Sequence, residues 1–146
     1  MIRLVPVSAD SMPDFADTSY AAMTDEDLRR MVRESCDRRH DGAYFEIIAV
    51  MDDGQIVGFM NLFARSAREI SIGPEIKRRF QRQGYGHAAE ILALQYAKES
   101  GYTTAVAEVR EDNAASIALH EKLGFSLEER RINKHGNPVR IYRRAL

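Results

Sequence analysis

Residues 77–86 read Lys-Arg-Arg-Phe-Gln-Arg-Gln-Gly-Tyr-Gly and join two segments of different periodicity. Before them, residues 68–77 alternate Ile70, Ile72 and Ile76 with other residues, the period-two pattern of a strand. After them, residues 84–100 read as a long helix that Gly101 closes. A strand that passes into a long helix through two glycines commits the chain to an architecture mixing sheet and helix along the sequence. Gly84 and Gly86 permit a tight turn and leave amide N–H groups unblocked by side chains. Those amides and the positive end of the helix suit a phosphate or pyrophosphate, with Arg78, Arg79 and Arg82 as neighbouring cations. A solvated basic loop at a helix start fits the same segment.

The remaining pattern extends this mixed α/β plan. Ile2 to Val7 alternates as a first strand. Thr24 and Asp27 resemble a capping box ahead of a helix over residues 24–39, whose apolar stripe of Leu28, Met31, Val32 and Cys36 places Cys36 in the core. Residues 44–51 and 55–65 read as strands joined by the turn Asp52-Asp53-Gly54, a hairpin. Pro74 lies inside the strand over 68–77, which demotes that strand to a sheet edge or places a bulge in it. Residues 103–109 form the next strand, Asn113 caps a short helix ended by Gly124, and residues 125–132 and 139–142 form the last two strands.

With 146 residues the chain is expected to be a single domain over 1–146, large enough to bury a core without a staple. Cys36 is the only cysteine, which excludes an internal disulfide and any multi-cysteine metal site. His40, His87, His120 and His135 show no metal-ligand spacing, so no metal is expected. The N-terminus lacks a secretory pattern, and the longest apolar run, Ile47 to Met51, is too short for a bilayer. A soluble cytoplasmic protein without a membrane partner is the expectation. The net charge of −1 argues against coating a nucleic acid, although it averages two unlike parts. Residues 1–53 hold 12 acids and 6 bases, whereas residues 54–146 hold 10 acids and 15 bases.

Residues 81–86 lack the closing Gly-Lys-Ser/Thr of a P-loop and are not a full Gly-x-Gly-x-x-Gly fingerprint. Gln81, Gly84 and Gly86 resemble the Gln/Arg-x-x-Gly-x-Gly/Ala coenzyme A loop of the GNAT superfamily of acetyltransferases. Asn113 to Phe125, ending Glu-Lys-Leu-Gly-Phe, is similar to a second signature of that superfamily, in the right order and at the right element boundary. The resemblance covers essentially the whole chain. It implies an acyl-CoA N-acyltransferase fold whose fourth and fifth strands splay apart, with a bulge in the fourth, where Pro74 lies. It also implies acetyl-CoA as cosubstrate. Ile76 and Arg78 would contact the pantetheine arm through the main chain, and Arg82, Gln83, Gly84, Tyr85 and Gly86 would hold the pyrophosphate. Asn113 would hydrogen-bond the pantetheine, with Ser116 close by.

The implied reaction is direct acetyl transfer from the thioester to a primary amine. It needs a base, a hydrogen-bond donor for the thioester oxygen and an acid for the leaving thiolate. The Ile76 amide is the candidate donor. Many relatives carry a tyrosine acid at the position held here by His120. Ser116 and His120 lie four apart, so they are expected on one helix face, with Ile117, Leu119 and Leu123 toward the core. An imidazole there could protonate the thiolate, donate one hydrogen bond to sulfur, or simply line the cleft. Glu69 is the first candidate base and Glu75 the second, both equally readable as surface carboxylates.

Three functions stay in view: an N-acetyltransferase, a non-catalytic coenzyme A sensor or interaction module on the same fold, and, with least support, a nucleic-acid binder using residues 77–82. The acceptor is a small-molecule or peptide amine, and the acidic N-terminal half points to a cationic one. Oligomeric state stays open, a homodimer included.

Overall fold

The computed structural model describes residues 1–146. In chain order the elements are β1 (Ile2–Pro6), α1 (Asp25–Asp37), β2 (Phe45–Asp52), β3 (Gln55–Ala64), β4 (Glu69–Ile76), α2 (Tyr85–Glu99), β5 (Thr104–Arg110), α3 (Ala114–Lys122), β6 (Ser126–Ile132) and β7 (Pro138–Ala145). Single 3-10 turns occupy Ser19–Ala22 and Arg78–Phe80. The strands form one seven-stranded sheet in the order β1-β2-β3-β4-β5-β7-β6. Every pairing is antiparallel except β4 with β5, which is parallel.

That parallel pairing is short. Glu69, Ile70 and Ser71 align with Thr104, Ala105 and Val106, and the ladder stops there. Beyond it β4 stays with β3 as far as Ile76 opposite Gly58, while β5 stays with β7 as far as Arg110 opposite Val139. The sheet therefore opens as a V at the C-terminal ends of β4 and β5, the splay that the family resemblance implies.

Pro74 sits in this sheet differently from expectation. β4 is a central strand, and its register with β3 is unbroken from Ile70 to Ile76, so there is neither an edge nor a bulge between them. The Lys77 N–H donates to the Val57 carbonyl at 2.9 Å. Backbone groups alternate along a strand, so odd-numbered β4 residues bond to β3 while Pro74 and Ile76 direct theirs into the V. A proline is tolerated because β5 has already departed and no ladder bond is lost. Gly58 completes the contact. A Cβ there would lie 2.5 Å from the Glu75 carbonyl oxygen and 2.8 Å from the Ile76 Cα, so only glycine lets β3 and β4 approach this closely.

α2 covers one face of the sheet. Ala89, Ala93 and Ala97 recur every four residues and are fully buried, which brings the helix close to the strands. With Ile48, Val50, Met60, Leu62, Ile70, Ile72 and Tyr142 they make the main core. α1 covers the other face over a smaller cluster of Phe15, Val32, Ile47, Ala49 and Phe59. Thr24 caps α1 as expected, its hydroxyl accepting from the Asp27 N–H at 3.1 Å. Cys36, expected in the core, is exposed. Its neighbour Ser35 faces inward instead, accepting from the Ile47 N–H at 2.8 Å and donating to the Ile47 carbonyl at 3.1 Å. No helix is long and apolar enough to cross a membrane.

Candidate active site

The V holds a cavity of about 530 Å³ whose walls come from β4, the residue 80–87 turn and α3. Nine of the residues singled out in the sequence line it: Glu75, Ile76, Gln81, Arg82, Gly84, Tyr85, Gly86, Asn113 and Ser116. Gly84 precedes α2 at φ 84° and Arg82 is also left-handed at φ 63°, a curled backbone that faces amides toward one point. No side chain caps the α2 N-terminus and its first turn carries no acid, so its amides stay free for an anion. α1 differs, because Asp25, Glu26 and Asp27 already offset its dipole. Gln81 donates to the Ile76 carbonyl at 3.1 Å, tying the turn to the strand end. Asn113 Oδ1 accepts from the Ser116 N–H at 3.1 Å, which orients α3 along the far wall. The open V, free amides and cationic Arg82 together fit an anionic cosubstrate, which is the chemistry of acetyl-CoA.

Arg78 and Gln83 do not line the cavity. The Arg78 N–H donates to the Asp17 carbonyl at 3.1 Å and the Arg79 N–H to the Asp17 carboxylate at 2.9 Å. Gln83 turns back to the Arg79 carbonyl at 3.4 Å. Residues 14–19 thus form a strap over the end of β4, reinforced by the buried Lys77 ammonium 3.9 Å from Asp14.

Glu69 lies at the closed end of the V. It is ion-paired with Arg143, and Glu75 lies six residue steps, about 20 Å, further along β4. Glu75 lines the cavity and accepts from the Ser19 N–H at 2.5 Å.

His120 is buried at 2% exposure and stands behind the cavity wall, contrary to the expected cleft position. α3 is rotated so that Asn113, Ser116 and Leu119 face the cavity, while His120 points toward Phe125 and Tyr142. Nε2 lies 2.9 Å from Oε1 of the fully buried Glu90, and Nδ1 lies 2.7 Å from the Ser116 carbonyl. Both ring nitrogens face acceptors, so both N–H bonds are used when the ring is an imidazolium. Burial works against that charge, yet the Glu90 carboxylate and the Ser116 carbonyl outweigh it and raise the pKa.

A second cavity of about 290 Å³ opens on the α1 face of the same strand, lined by Ser19, Tyr20, Asn61, Ser71, Ile72, Gly73, Pro74, Glu75 and Glu108. It shares Pro74 and Glu75 with the first, so the two meet at the end of β4. Burial, with Glu75 adding to it, holds the Tyr20 phenol above its ordinary pKa and therefore protonated. The sequence singled out neither Tyr20, Asn61 nor Glu108. They lie on three separate segments: β3–β4 register places Asn61, the Ser19 N–H bond to Glu75 holds the turn that carries Tyr20, and Glu108 comes from β5 beyond its pairing with β4. On the first cavity Leu119, expected toward the core, lines the wall instead, and Phe80, His87 and Ala115 were not site candidates. Of these, His87 alone carried a local signal, its place in the first turn of α2.

Comparison with known proteins agrees with this geometry. Over 120 residues the chain is 29% identical to the mycothiol acetyltransferase of Renibacterium salmoninarum, covering 78% of this chain and 33% of that protein. Over 57 residues it is 40% identical to the ribosomal protein bS18-alanine N-acetyltransferase of Escherichia coli K12, covering 39% of this chain and 36% of that protein. The matched segment thus spans about a third of the length of either relative. The fold matches a GNAT family acetyltransferase from Elizabethkingia anophelis with acetyl-CoA bound, at a TM-score of 0.78, 17% identity, and 99% and 98% coverage of the two chains. Residues 10–125 match the family described as the acetyltransferase (GNAT) family, and to that family the chain belongs.

Proposed function

We propose that this protein is an N-acetyltransferase that moves an acetyl group from acetyl-CoA directly to a primary amine. The observation that carries this is the meeting of two cavities at Pro74 and Glu75, one with free helix amides and one with two carboxylates. Arg82 and the amides of residues 84–86 hold the pyrophosphate, and Ile76, Asn113 and Ser116 flank the pantetheine arm. When bound, acetyl-CoA supplies an acyl carbon activated as a thioester. The Ile76 N–H, directed into the V, donates to the acetyl oxygen as negative charge develops there. Glu75 and Glu108 attract the acceptor ammonium, and Glu75, at the junction, takes its proton directly or through water. Glu69 has no part in this, being held by Arg143 at the closed end. The second proton, which the acceptor nitrogen sheds as the amide forms and the C–S bond breaks, passes through water to the leaving thiolate, since His120 lies behind the wall.

The withdrawal of His120 from the cavity favours a second reading, a module that binds acetyl-CoA without transferring it. One assay separates them: thiol release from acetyl-CoA with a panel of primary amines, checked by the mass gain of one acetyl group on the amine. Transfer supports the enzyme. Tight acetyl-CoA binding with no transfer to any amine supports the module, and absence of binding contradicts both.

A further inference from the structure

We propose that the acceptor carries an apolar group some distance from its amine, and that a slot between α1 and strands β2 and β3 binds that group. The inference rests on the N-acetyltransferase reading and extends it to the class of acceptor. The slot is a cavity of about 310 Å³ lined by Met23, Asp27, Arg30, Met31, Glu34, His40, Phe45, Asn61 and Phe63. Asn61 also lines the amine cavity, so the slot continues the path that begins at Glu75.

Its charged members are occupied with one another. Arg30 donates to Asp27 at 2.8 Å, and His40 pairs with Glu34 at 2.5 Å. What remains for a ligand is Met23, Met31, Phe45 and Phe63, with the His40 ring packed 6.0 Å from Phe45 and 6.4 Å from Phe63 between centroids. Flexible thioethers against aromatic rings make a surface suited to an alkyl or aryl group, and one that can adapt to its shape. α1 presents Asp27, Arg30, Met31 and Glu34 to the slot at helical spacing, whereas its buried Val32 and Ser35 face the sheet. Within this row only Met31 also packs against the strand core; Asp27, Arg30 and Glu34 do not belong to it.

Sheet register sets the distance. On the α1 face Glu75 lies opposite Phe59, Gly73 opposite Asn61 and Ser71 opposite Phe63, with Phe45 of β2 opposite Phe63 in turn. At about 3.3 Å per strand residue, Asn61 is about 7 Å and Phe63 about 13 Å from the level of Glu75. An amine held at Glu75 thus reaches the slot with an apolar group about 10 Å away. Two sources supply that chemistry: a peptide N-terminus with an apolar third residue, or an arylalkyl amine.

The test compares Ala-Ala-Phe-amide, Ala-Ala-Asp-amide, 4-phenylbutylamine and butylamine in two ways: kcat/KM for acetylation, and Kd for each compound on the coenzyme A-bound protein by calorimetry. The binding arm is read whether or not transfer occurs. We expect Ala-Ala-Phe-amide to exceed Ala-Ala-Asp-amide about tenfold or more, as burial of an aromatic ring implies. Phe63→Ser, at a half-open position, and Met31→Asp should each reduce that preference severalfold while KM for acetyl-CoA stays unchanged. A peptide source gives the larger gain in the tripeptide pair, and an arylalkyl source gives it in the amine pair. Equal kcat/KM and Kd across both pairs, or a preference unaltered by both variants, overturns the slot. If the ring-dependent binding is present but no amine is acetylated, the slot stands and the N-acetyltransferase reading fails.

Discussion

His120 and Glu90 place an imidazole–carboxylate pair where neither residue has access to water. Removing one partner from such a pair leaves the other uncompensated, and Glu90→Leu should cost about 3 kcal/mol or more of stability. The double change Glu90→Leu with His120→Phe should recover much of that loss, because no charge is then left buried. The pH dependence follows from the raised His120 pKa. A group whose folded pKa lies above its ordinary value of about 6.5 stabilises fully below that pH and loses the contribution as pH rises through the folded value. Thermal denaturation from about pH 6 to 9 should therefore show a decline in the parent protein that is flatter in the double variant. The same pair explains why the sequence misled at this position. Spacing put Ser116 and His120 on one helical face, but it could not say whether the cavity was met by Ser116 with Leu119 or by Ser116 with His120. The deciding fact is a carboxylate 30 residues earlier in the chain, on α2.

Among the elements, strand and helix order was legible from periodicity, caps and glycines, and the hairpin of β2 and β3 follows from Asp52-Asp53-Gly54. Pro74 was legible as an anomaly and not as its solution. The sequence offers an edge or a bulge, and the structure uses the divergence of β5, which frees the bond that proline cannot make. Gly58 carried no signal at all, because its need arises only from close approach to Glu75 and Ile76. Gly58→Ala should force β3 from β4 at the point where the Ile76 N–H is aimed. A loss of about 1–3 kcal/mol by denaturant unfolding is expected from the overpacking. Acetyl transfer should fall further than acetyl-CoA affinity does, since the oxyanion donor moves while the helix amides that hold the pyrophosphate do not.

For the whole molecule, the near-zero net charge conceals an acidic half of 12 acids against 6 bases and a basic half of 10 against 15. The division does not map onto the two cavities, because Glu75 and Glu108 lie in the basic half with Arg82; the contrast is set by the side chains at each cavity. Arg82 and the α2 amides border the first cavity, and Glu75 and Glu108 border the second. Cationic acceptors should therefore show a KM that rises with ionic strength while kcat holds steady, as steady-state assays across a salt series would read. The cosubstrate half of the site was legible because its residues sit in two short local motifs. The acceptor half was legible only at Glu75, because Tyr20, Asn61 and Glu108 come from three other segments that only the folded chain brings to it. The central claim is that transfer occurs where the two cavities meet, at Glu75. The most direct measurement is kcat/KM for the amine in Glu75→Gln beside the parent protein, together with the Kd for acetyl-CoA. Loss of a positioned base should lower kcat/KM about a hundredfold or more with acetyl-CoA affinity unchanged. An undiminished kcat/KM in Glu75→Gln would contradict it.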